Sequence, residues 1–299
     1  MRRMARDQIT YAFGPDERPV AEVEPGETLV FETWDALGGR VKTMEDALSL
    51  VLPPEQLNPA TGPVLIHGAE RGDMLAATIV DIALGERGQS RVKQGGGVIT
   101  HELRPPRANL IPVRDNVVHF NERIHFPARP MVGVIGTAPA QGRILSFHPG
   151  PHGGNLDTNE VGIGATIYLP VAVAGALFAI GDVHASMGDG ELTGGGIDIN
   201  ADIAVRLDLV KGIGWHRPVI ETAEAWSTCA CAPALADAVR IATSDMATLL
   251  ARALGMSREE AFILIGCAGD ARIGQAAEIP GVDATAWLRV SKGILPRIW

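Results

Sequence analysis

The segment 197–210, IDINADIAVRLDLV, most constrains what this chain can fold into. Apolar residues recur at every second position, and polar residues fill most positions between them. The apolar set is Ile197, Ile199, Ala201, Ile203, Val205, Leu207 and Leu209, and the polar set is Asp198, Asn200, Asp202, Arg206 and Asp208. Side chains alternate between the two faces of a β-strand, so the pattern predicts one half-buried strand with a solvated, acidic outer face.

Other short apolar runs extend this β pattern over the first two thirds of the chain. The segment TGPVLIHGAERGDMLAATIVDIALG predicts two strands with a turn at AERGD between them. The apolar run 163–180 predicts a hairpin that divides near Ala174 and Gly175. A total of 35 glycines suits a fold of many tight turns.

A helical pattern follows Trp215. Apolar residues spaced by three and four begin after Pro233 and stop at Gly255, and Ser257 with Glu260 forms a capping-box pattern for a second helix through 265. We therefore predict a mainly β protein with a jelly-roll or β-sandwich-like core and an α+β C-terminal part. The expected division is 1–215 and 216–299, with one integrated domain as the alternative.

Composition limits the partners. Hydrophobic residues make up 46% of 299 residues, which supports a sizeable core, and the net charge is −9. An acidic chain is poorly suited to nucleic acid or anionic lipid, so we expect a small-molecule partner, no nucleic acid and no membrane. The chain shows no signal-peptide pattern and no uninterrupted apolar run of about 18 residues, which predicts a cytoplasmic location.

The three cysteines, Cys229, Cys231 and Cys267, lack the spacing of a zinc knuckle or redox motif and are predicted to be structural thiols. The chain also contains no G-x-S-x-G motif and no phosphate-binding glycine motif. Serine nucleophiles of the α/β-hydrolase type and nucleotide chemistry are therefore not expected.

Two polar clusters flank the apolar run 163–180. They comprise His148, His152, Asn155, Asp157 and Glu160, and then Asp182, His184, Asp189 and Glu191. In an extended chain Asp182 and His184 point the same way, and a hairpin would bring Asp157 beside them as a third metal ligand, with one position open for water. Gly153 and Gly154 would let the backbone approach a bound group and present N–H donors.

Each of these motifs also has a simpler interpretation. An isolated Asp-x-His pair is more often a hydrogen-bonded or surface pair than a metal site, and GDGE and HGGN are common in turns and loops. The combination of both clusters favours a metal site, but the spacing leaves both interpretations open.

Several segments together resemble the acetamidase/formamidase family. They are FETWDALGG, LNPATGPVLIHGAERGD, GPHGGNLDT, IYLPVAVAGALFAIGDVHASMGDGEL and ADAVRIATSDM. The resemblance implies hydrolysis of short amides to a carboxylate and ammonia, a jelly-roll-like β core with an α+β tail, a bound divalent metal and a homodimer. By motif it puts Asp35 near the site and supplies the residues His152, Asn155, Asp157, Asp182, His184 and Glu191.

From these residues we predict three sets of roles. His152, Glu191 and Asp35 are predicted to be catalytic, and Asn155, Gly153 and Gly154 to bind substrate. Asp157, Asp182 and His184 are predicted to ligate a divalent metal, with zinc expected ahead of calcium.

In the predicted mechanism the metal activates water and Glu191 transfers its proton to the leaving nitrogen, while His152 or Asn155 holds the developing oxyanion. The alternative is a metal-stabilised, jelly-roll ligand-binding protein without turnover.

Overall fold

The computed structural model describes residues 1–93, 95–104 and 106–299. Its strands, β1 to β23 in chain order, are Arg2–Met4, Ile9–Thr10, Ala12–Phe13, Ala21–Val23, Thr28–Thr33, Ala60–Ile66, Met74–Leu84, Arg87–Val92, Arg107–Arg114, Val117–His119, His125–Pro127, Met131–Gly136, Ile144–Leu145, Pro149–Gly150, Gly153–Asn155, Thr166–Pro170, Phe178–His184, Asp198–Ile199, Ala201–Val210, Val219–Glu221, Ala225–Ala232, Gly269–Ile273 and Ala284–Ser291. The helices α1 to α3 are Met44–Ser49, Leu235–Leu254 and Arg258–Ala268, and short 3-10 turns cover Pro54–Gln56 and Thr100–Glu102.

Two large open sheets form the body of the molecule. One has nine strands in the order β1-β5-β19-β7-β16-β20-β21-β23-β22. The other has twelve, with β11-β10-β9-β8-β18-β17-β12-β15-β14 in a row and β2, β4 and β6 attached through β17. Phe31 of β5 meets Phe178 of β17 edge-on between the sheets, with ring centroids 5.7 Å apart. The predicted mainly β fold with an α+β C-terminal part is confirmed.

Both predicted helices are confirmed. Helix α2 ends at Gly255, whose φ of 66° is the left-handed conformation that glycine adopts readily. Helix α3 begins with the Ser257 and Glu260 capping box and runs three residues past the predicted end, to Ala268. Helix α1, which has its own capping box at Thr43, was not predicted from the sequence.

The segment 197–210 is not one strand, contrary to the prediction. The chain leaves β18 in the twelve-stranded sheet at Asn200 and enters β19 in the nine-stranded sheet. Ile203, Val205 and Leu207 are fully buried as the alternation predicts. Asp198 was expected to be solvated but is only 8% exposed. It lies before the change of sheet, so the outer face of β19 does not include it.

The predicted hairpin over 163–180 is also wrong. Strands β16 and β17 belong to different sheets, and so do β6 and β7 on either side of AERGD. An apolar run shows that a strand is buried but does not select its partner. The two polar clusters meet instead through β12, which pairs with β15 on one side and with β17 on the other.

The nine-stranded sheet continues across the predicted domain boundary, because β16 pairs with β20. The division at 215 remains a prediction. In the described part of the chain, no helix combines the length and the apolar character needed to cross a membrane.

Candidate metal and active site

Three neighbouring strands place His184, Asp198 and Gln89 side by side. In the antiparallel register His184 of β17 lies opposite Asp198 of β18, and Asp198 lies opposite Gln89 of β8. His184 Nε2 is 3.4 Å from Asp198 Oδ1 and 3.7 Å from Asp182 Oδ1. Both oxygens nevertheless lack a hydrogen-bond partner among the described residues. The imidazole therefore faces two carboxylate oxygens without being bonded to either.

Two further carboxylates join this group from loops that follow β15 and β17. One ligand atom from each of Asp157, His184 and Glu191 lies within 4.8 Å of the others, and all three residues are buried. The structure thus brings together the three predicted metal ligands, Asp157, Asp182 and His184, and adds Glu191 and Asp198 to them.

A side-chain amide holds one oxygen of each carboxylate. The hydrogen bonds run from Asn58 Nδ2 to Asp182 Oδ2 (2.6 Å), from Gln89 Nε2 to Asp198 Oδ2 (2.6 Å), and from Gln275 Nε2 to Asp157 Oδ2 (3.0 Å) and Glu191 Oε2 (2.8 Å). An amide can orient a carboxylate without supplying a positive charge. These hydrogen bonds therefore order the cluster without neutralising it.

The second oxygen of each aspartate has no hydrogen-bond partner among the described residues. Four buried atoms of the cluster lack a hydrogen-bond partner within the ranges that the structure describes: Asp157 Oδ1, Asp182 Oδ1, Asp198 Oδ1 and His184 Nδ1. A buried, unsatisfied polar atom costs about 1–3 kcal/mol, so a group of them in one place requires an explanation. Carboxylate oxygens and a neutral imidazole are donors for divalent cations, and the residues present fit such an ion.

Burial shifts the titration of every group in the cluster. Burial, followed by the charge of Glu191, raises the pKa of Asp182 to about 8, and burial raises the pKa of Glu191 to about 7. Burial also raises the pKa values of Asp157 and Asp198 well above their ordinary value. The pKa of His184 falls to about 4 for the same reason, so its imidazole is neutral at pH 7. Neutral imidazole is the form that binds metals.

The backbone at the site adopts an uncommon conformation. Four residues of the site have positive φ values, in the left-handed region that residues other than glycine rarely occupy. They are Asn58 (50°), Asp157 (45°), Asp182 (53°) and Glu191 (45°). Each such residue costs about 1–3 kcal/mol, and this kind of strain concentrates at functional sites.

Gly133 of β12 packs directly against the carboxylates. A Cβ atom at this position would lie 2.5 Å from Asp157 Oδ1 and 3.0 Å from Asp182 Oδ2. The pairing of β12 with β17 is interrupted at Gly133 and Asp182. Close packing therefore requires glycine at 133.

The cluster opens onto a cavity of about 150 Å³. Its polar lining comprises Asp182, His184, Glu191 and Asp198, and its apolar lining includes Phe147, Ile279 and Val282. Asn155 also faces this cavity, and its Oδ1 accepts a 3.1 Å hydrogen bond from Asn58 Nδ2. The Asn155 amide is thereby oriented, with its NH₂ group available as a donor.

The predicted catalytic residue His152 does not line this cavity. Its ring packs edge-on against Phe13 with centroids 5.1 Å apart, and burial lowers its pKa to about 4. Gly153 and Gly154, at φ 101° and 80°, lie in β15 between two strands, where a Cβ would come within 2.2 Å of Ile135 O or 2.3 Å of His148 O. Packing alone thus explains both glycines.

The predicted catalytic residue Asp35 borders a second cavity of about 990 Å³, which shares Asp198 as a lining residue. Asp35 Oδ1 accepts hydrogen bonds from the backbone N–H groups of Leu37 (2.9 Å) and Gly39 (3.1 Å), and burial raises its pKa. Asp35 is therefore near the cluster, as the resemblance implies, but in a neighbouring chamber.

Two residues of the polar segments lie outside the site. Asp189 forms an ion pair with Arg272 at 2.8 Å, and Glu160 lies 3.8 Å from Arg289. Their carboxylates therefore have guanidinium partners, unlike those of the cluster.

Sequence reasoning missed four residues of the site: Asn58, Gln89, Asp198 and Gln275. Asn58 stands in the segment LNPATGPVLIHGAERGD, which carried the family resemblance, so its position was a usable signal. Gln89 and Gln275 stand in no motif, and only the fold brings them to the carboxylates.

The buried carboxylate–imidazole cluster beside a small cavity of this mainly β fold is a candidate site for a small molecule. The sequence matches the acetamidase/formamidase family over residues 2–148 and 143–292, and the chain belongs to that family. The predicted resemblance is confirmed.

Solved structures and a curated relative agree with this assignment. An acetamidase from Bacillus halodurans is 36% identical, with a TM-score of 0.93 over 99% of both chains. A predicted acetamidase/formamidase from Thermoanaerobacter tengcongensis is 36% identical, with a TM-score of 0.94 over 98% of this chain and 96% of that one. A formamidase from Methylophilus methylotrophus is 24% identical over 263 residues, 68% of this chain. The chain spans 62% to 65% of the length of the curated relatives it matches.

Proposed function

We propose that this protein hydrolyses the C–N bond of a small linear amide of the formamide or acetamide class. The reaction joins one water to the amide and gives a carboxylate and ammonia. Membership of the acetamidase/formamidase family supports the reaction. The observation that carries the proposal is the set of unpartnered aspartate oxygens beside His184, next to a cavity of about 150 Å³ that suits a substrate of a few atoms.

In this proposal Asp157, Asp182 and His184 hold a divalent metal, with zinc expected ahead of calcium and Asp198 as an adjacent donor. When bound, such an ion would lower the pKa of a water molecule and polarise the amide carbonyl. The support is the chemistry of the donor set. Three aspartates, each with one oxygen held and one without a partner in the described part of the chain, lie around a neutral imidazole.

The chain supplies the proton transfer through Glu191. Its Oε2 is fixed by Gln275, and its side chain lines the small cavity, where the carboxylate can accept a proton and then release it. Glu191 takes the proton from water as the water oxygen bonds to the carbonyl carbon. It then delivers the proton to the nitrogen, which leaves with the electron pair of the C–N bond.

Asn155 supplies a donor for the carbonyl oxygen as negative charge develops on it. Asn58 fixes the orientation of that amide through the 3.1 Å hydrogen bond. Neither His152 nor Asp35 lines the small cavity, so we assign neither of them a proton-transfer step.

The test is ammonia release from formamide, acetamide and propionamide by the purified protein, the chelator-treated protein and the protein reloaded with zinc or calcium. We expect turnover to disappear with the metal and to return with one of the two ions. Metal-loaded protein that releases no ammonia from any of the amides would contradict the proposal.

The alternative predicted from the sequence, ligand binding without turnover, would show amide binding but no ammonia. The comparisons do not favour it. A homodimer and a cytoplasmic location remain predictions.

A further inference from the structure

Arg91 lines the same small cavity as His184 and Asp198, and within the described part of the chain it is the only lysine or arginine to do so. It lies on β8 two residues after Gln89, so the two side chains leave the same face of the strand. Strand β8 therefore brings to the site both the amide that holds Asp198 and a permanent positive charge.

The end of helix α1 anchors this guanidinium. Arg91 Nη1 donates a 3.3 Å hydrogen bond to the carbonyl oxygen of Leu50, the residue that caps the helix, and Lys93 Nζ donates to the same oxygen. Cations are favourable at a helix C-terminus. A guanidinium has five N–H donors, so an anchored Arg91 still has donors for a ligand.

The remaining walls show what Arg91 can recognise. A carboxylate in this cavity is repelled by Asp182, Glu191 and Asp198 when these are ionised. Arginine offsets such repulsion because its planar fork binds a carboxylate through two parallel hydrogen bonds. Phe147 and Ile279 provide an apolar wall for a short acyl chain.

We propose that Arg91 is a specificity residue of this site and that it binds a carboxylate group there. The inference rests on the proposed amide hydrolysis. The carboxylate has two sources: the acid that hydrolysis releases, or a second carboxylate on the acyl chain of the substrate.

The experiment compares Arg91→Met and Arg91→Lys with the wild-type protein and with Arg107→Met. Arg107 is exposed on the neighbouring strand β9, so its replacement removes the same charge away from the cavity. One measurement is the inhibition constant of acetate against acetamide hydrolysis. The other is kcat/KM for malonamate, which carries a carboxylate, relative to propionamide, which does not.

We expect Arg91→Met to weaken carboxylate recognition by roughly 10–100-fold, as for loss of a charge-assisted bond, while KM for neutral acetamide changes less. Arg91→Lys keeps the charge without the fork and should lie between, and Arg107→Met should match the wild type. A change confined to acetate identifies the released acid as the source, and one confined to malonamate identifies the acyl carboxylate. If Arg91→Met and Arg91→Lys both stay within about threefold of wild type on both measures, Arg91 does not have this role.

Thermal melting shows whether each variant folds. If Arg91→Met does not fold, Arg91→Lys is compared with the wild type and with Arg107→Met instead. If the metal-loaded wild type hydrolyses no amide, the proposed function is wrong, and calorimetric titration of acetate tests Arg91 separately. Weaker acetate binding to the Arg91 variants than to Arg107→Met supports the role, and equal binding overturns it.

Discussion

Asp198 and Asp202 belong to one alternating segment of the sequence but to two different electrostatic regions. Asp202, on the outside of the nine-stranded sheet, is bonded to the guanidinium groups of Arg3 and Arg6. Asp198 is buried in the twelve-stranded sheet and held by the neutral amide of Gln89, and its Oδ1 has no hydrogen-bond partner in the described ranges of the chain.

The difference lies in the partners of the carboxylates. At the surface Asp202 has two guanidinium groups of the chain beside it, and solvent screens these pairs. In the cluster the hydrogen-bond partners are amides, and among the described residues Arg91 is the only lysine or arginine that lines the cavity. The charge of the four carboxylates is therefore oriented but not balanced. Bound protons or a metal ion are needed to offset the negative charge of such a buried cluster.

The largest effect should come from Glu191→Gln. The change keeps the shape but removes the base, so we expect turnover to fall by about 10²–10⁴-fold while metal content is retained. Metal content and kcat are measured on the same sample. If occupancy falls as well and excess metal restores activity, Glu191 is a ligand instead, and a fully active variant would remove it from the mechanism.

Asp198→Asn and Asp202→Asn test the comparison directly. Asp198→Asn removes either a metal ligand or a side chain that orients one, so it should reduce metal affinity or activity by about 10–100-fold. The surface change should leave activity unaltered and cost at most about 1 kcal/mol of unfolding free energy. Equal effects of the two substitutions on metal content, measured by elemental analysis, would show that the two regions do not differ as proposed.

Gly133→Ala probes the packing of the cluster without changing a charge. Its methyl group would press on Asp157 Oδ1, at 2.5 Å before relaxation, so we expect activity to fall by roughly tenfold with about 1–3 kcal/mol of destabilisation from overpacking. Gly266→Ala is the control, because a Cβ there meets no atom within 4 Å. A Gly133→Ala protein with wild-type kcat and melting temperature would contradict this account.

The two regions should also differ in the pH dependence of stability. In the metal-free protein the pKa values of Asp182, about 8, and Glu191, about 7, exceed the unfolded values of roughly 4. The folded state therefore binds more protons between pH ~4 and ~8, and the free energy of unfolding falls as pH rises through that range. Chelator-treated protein should melt at a lower temperature at pH 8 than at pH 5, and added metal should reduce the decline.

The surface network should respond in the opposite direction. The hydrogen bond from Arg3 lowers the pKa of Glu32, so its small contribution is present above the unfolded pKa and is lost as pH falls through the folded one. A melting temperature of the chelator-treated protein that rises from pH 5 to pH 8 would mean that the buried carboxylates do not hold protons as described.

The smallest effect is expected from the cysteines. Burial raises the pKa of Cys229 and raises that of Cys231 to about 11, so neither forms a ready thiolate, and Cys267 is exposed away from the cavity. Replacing all three with alanine or serine should leave kcat within roughly tenfold once folding is controlled for. Mass-spectrometric capture of an acyl group on any of them would overturn the water-based mechanism.

The sequence by itself determined the features that depend on neighbouring residues. Helix α3 starts directly after its N-cap Ser257, because the capping box satisfies backbone N–H groups within four residues. Strand β19 buries alternate side chains because strand geometry has a period of two. Asp182 and His184 lie two residues apart in β17 and reach one site as the alternation predicted, although Asp182 has a φ of 53°, which regular strand geometry does not include. The motif resemblance supplied Asp157 and Glu191.

Only the tertiary structure decided which strands pair and which side chains hold the carboxylates. Asn58, Gln89 and Gln275 are distant from one another in sequence, and each reaches its carboxylate through long-range pairing around β17, β18 and the loop after β22. Periodicity shows whether a strand is buried, but its partner is set by the shape of the whole core. For that reason the hairpin at 163–180 was wrong, and the burial of Asp198 became visible only in the fold.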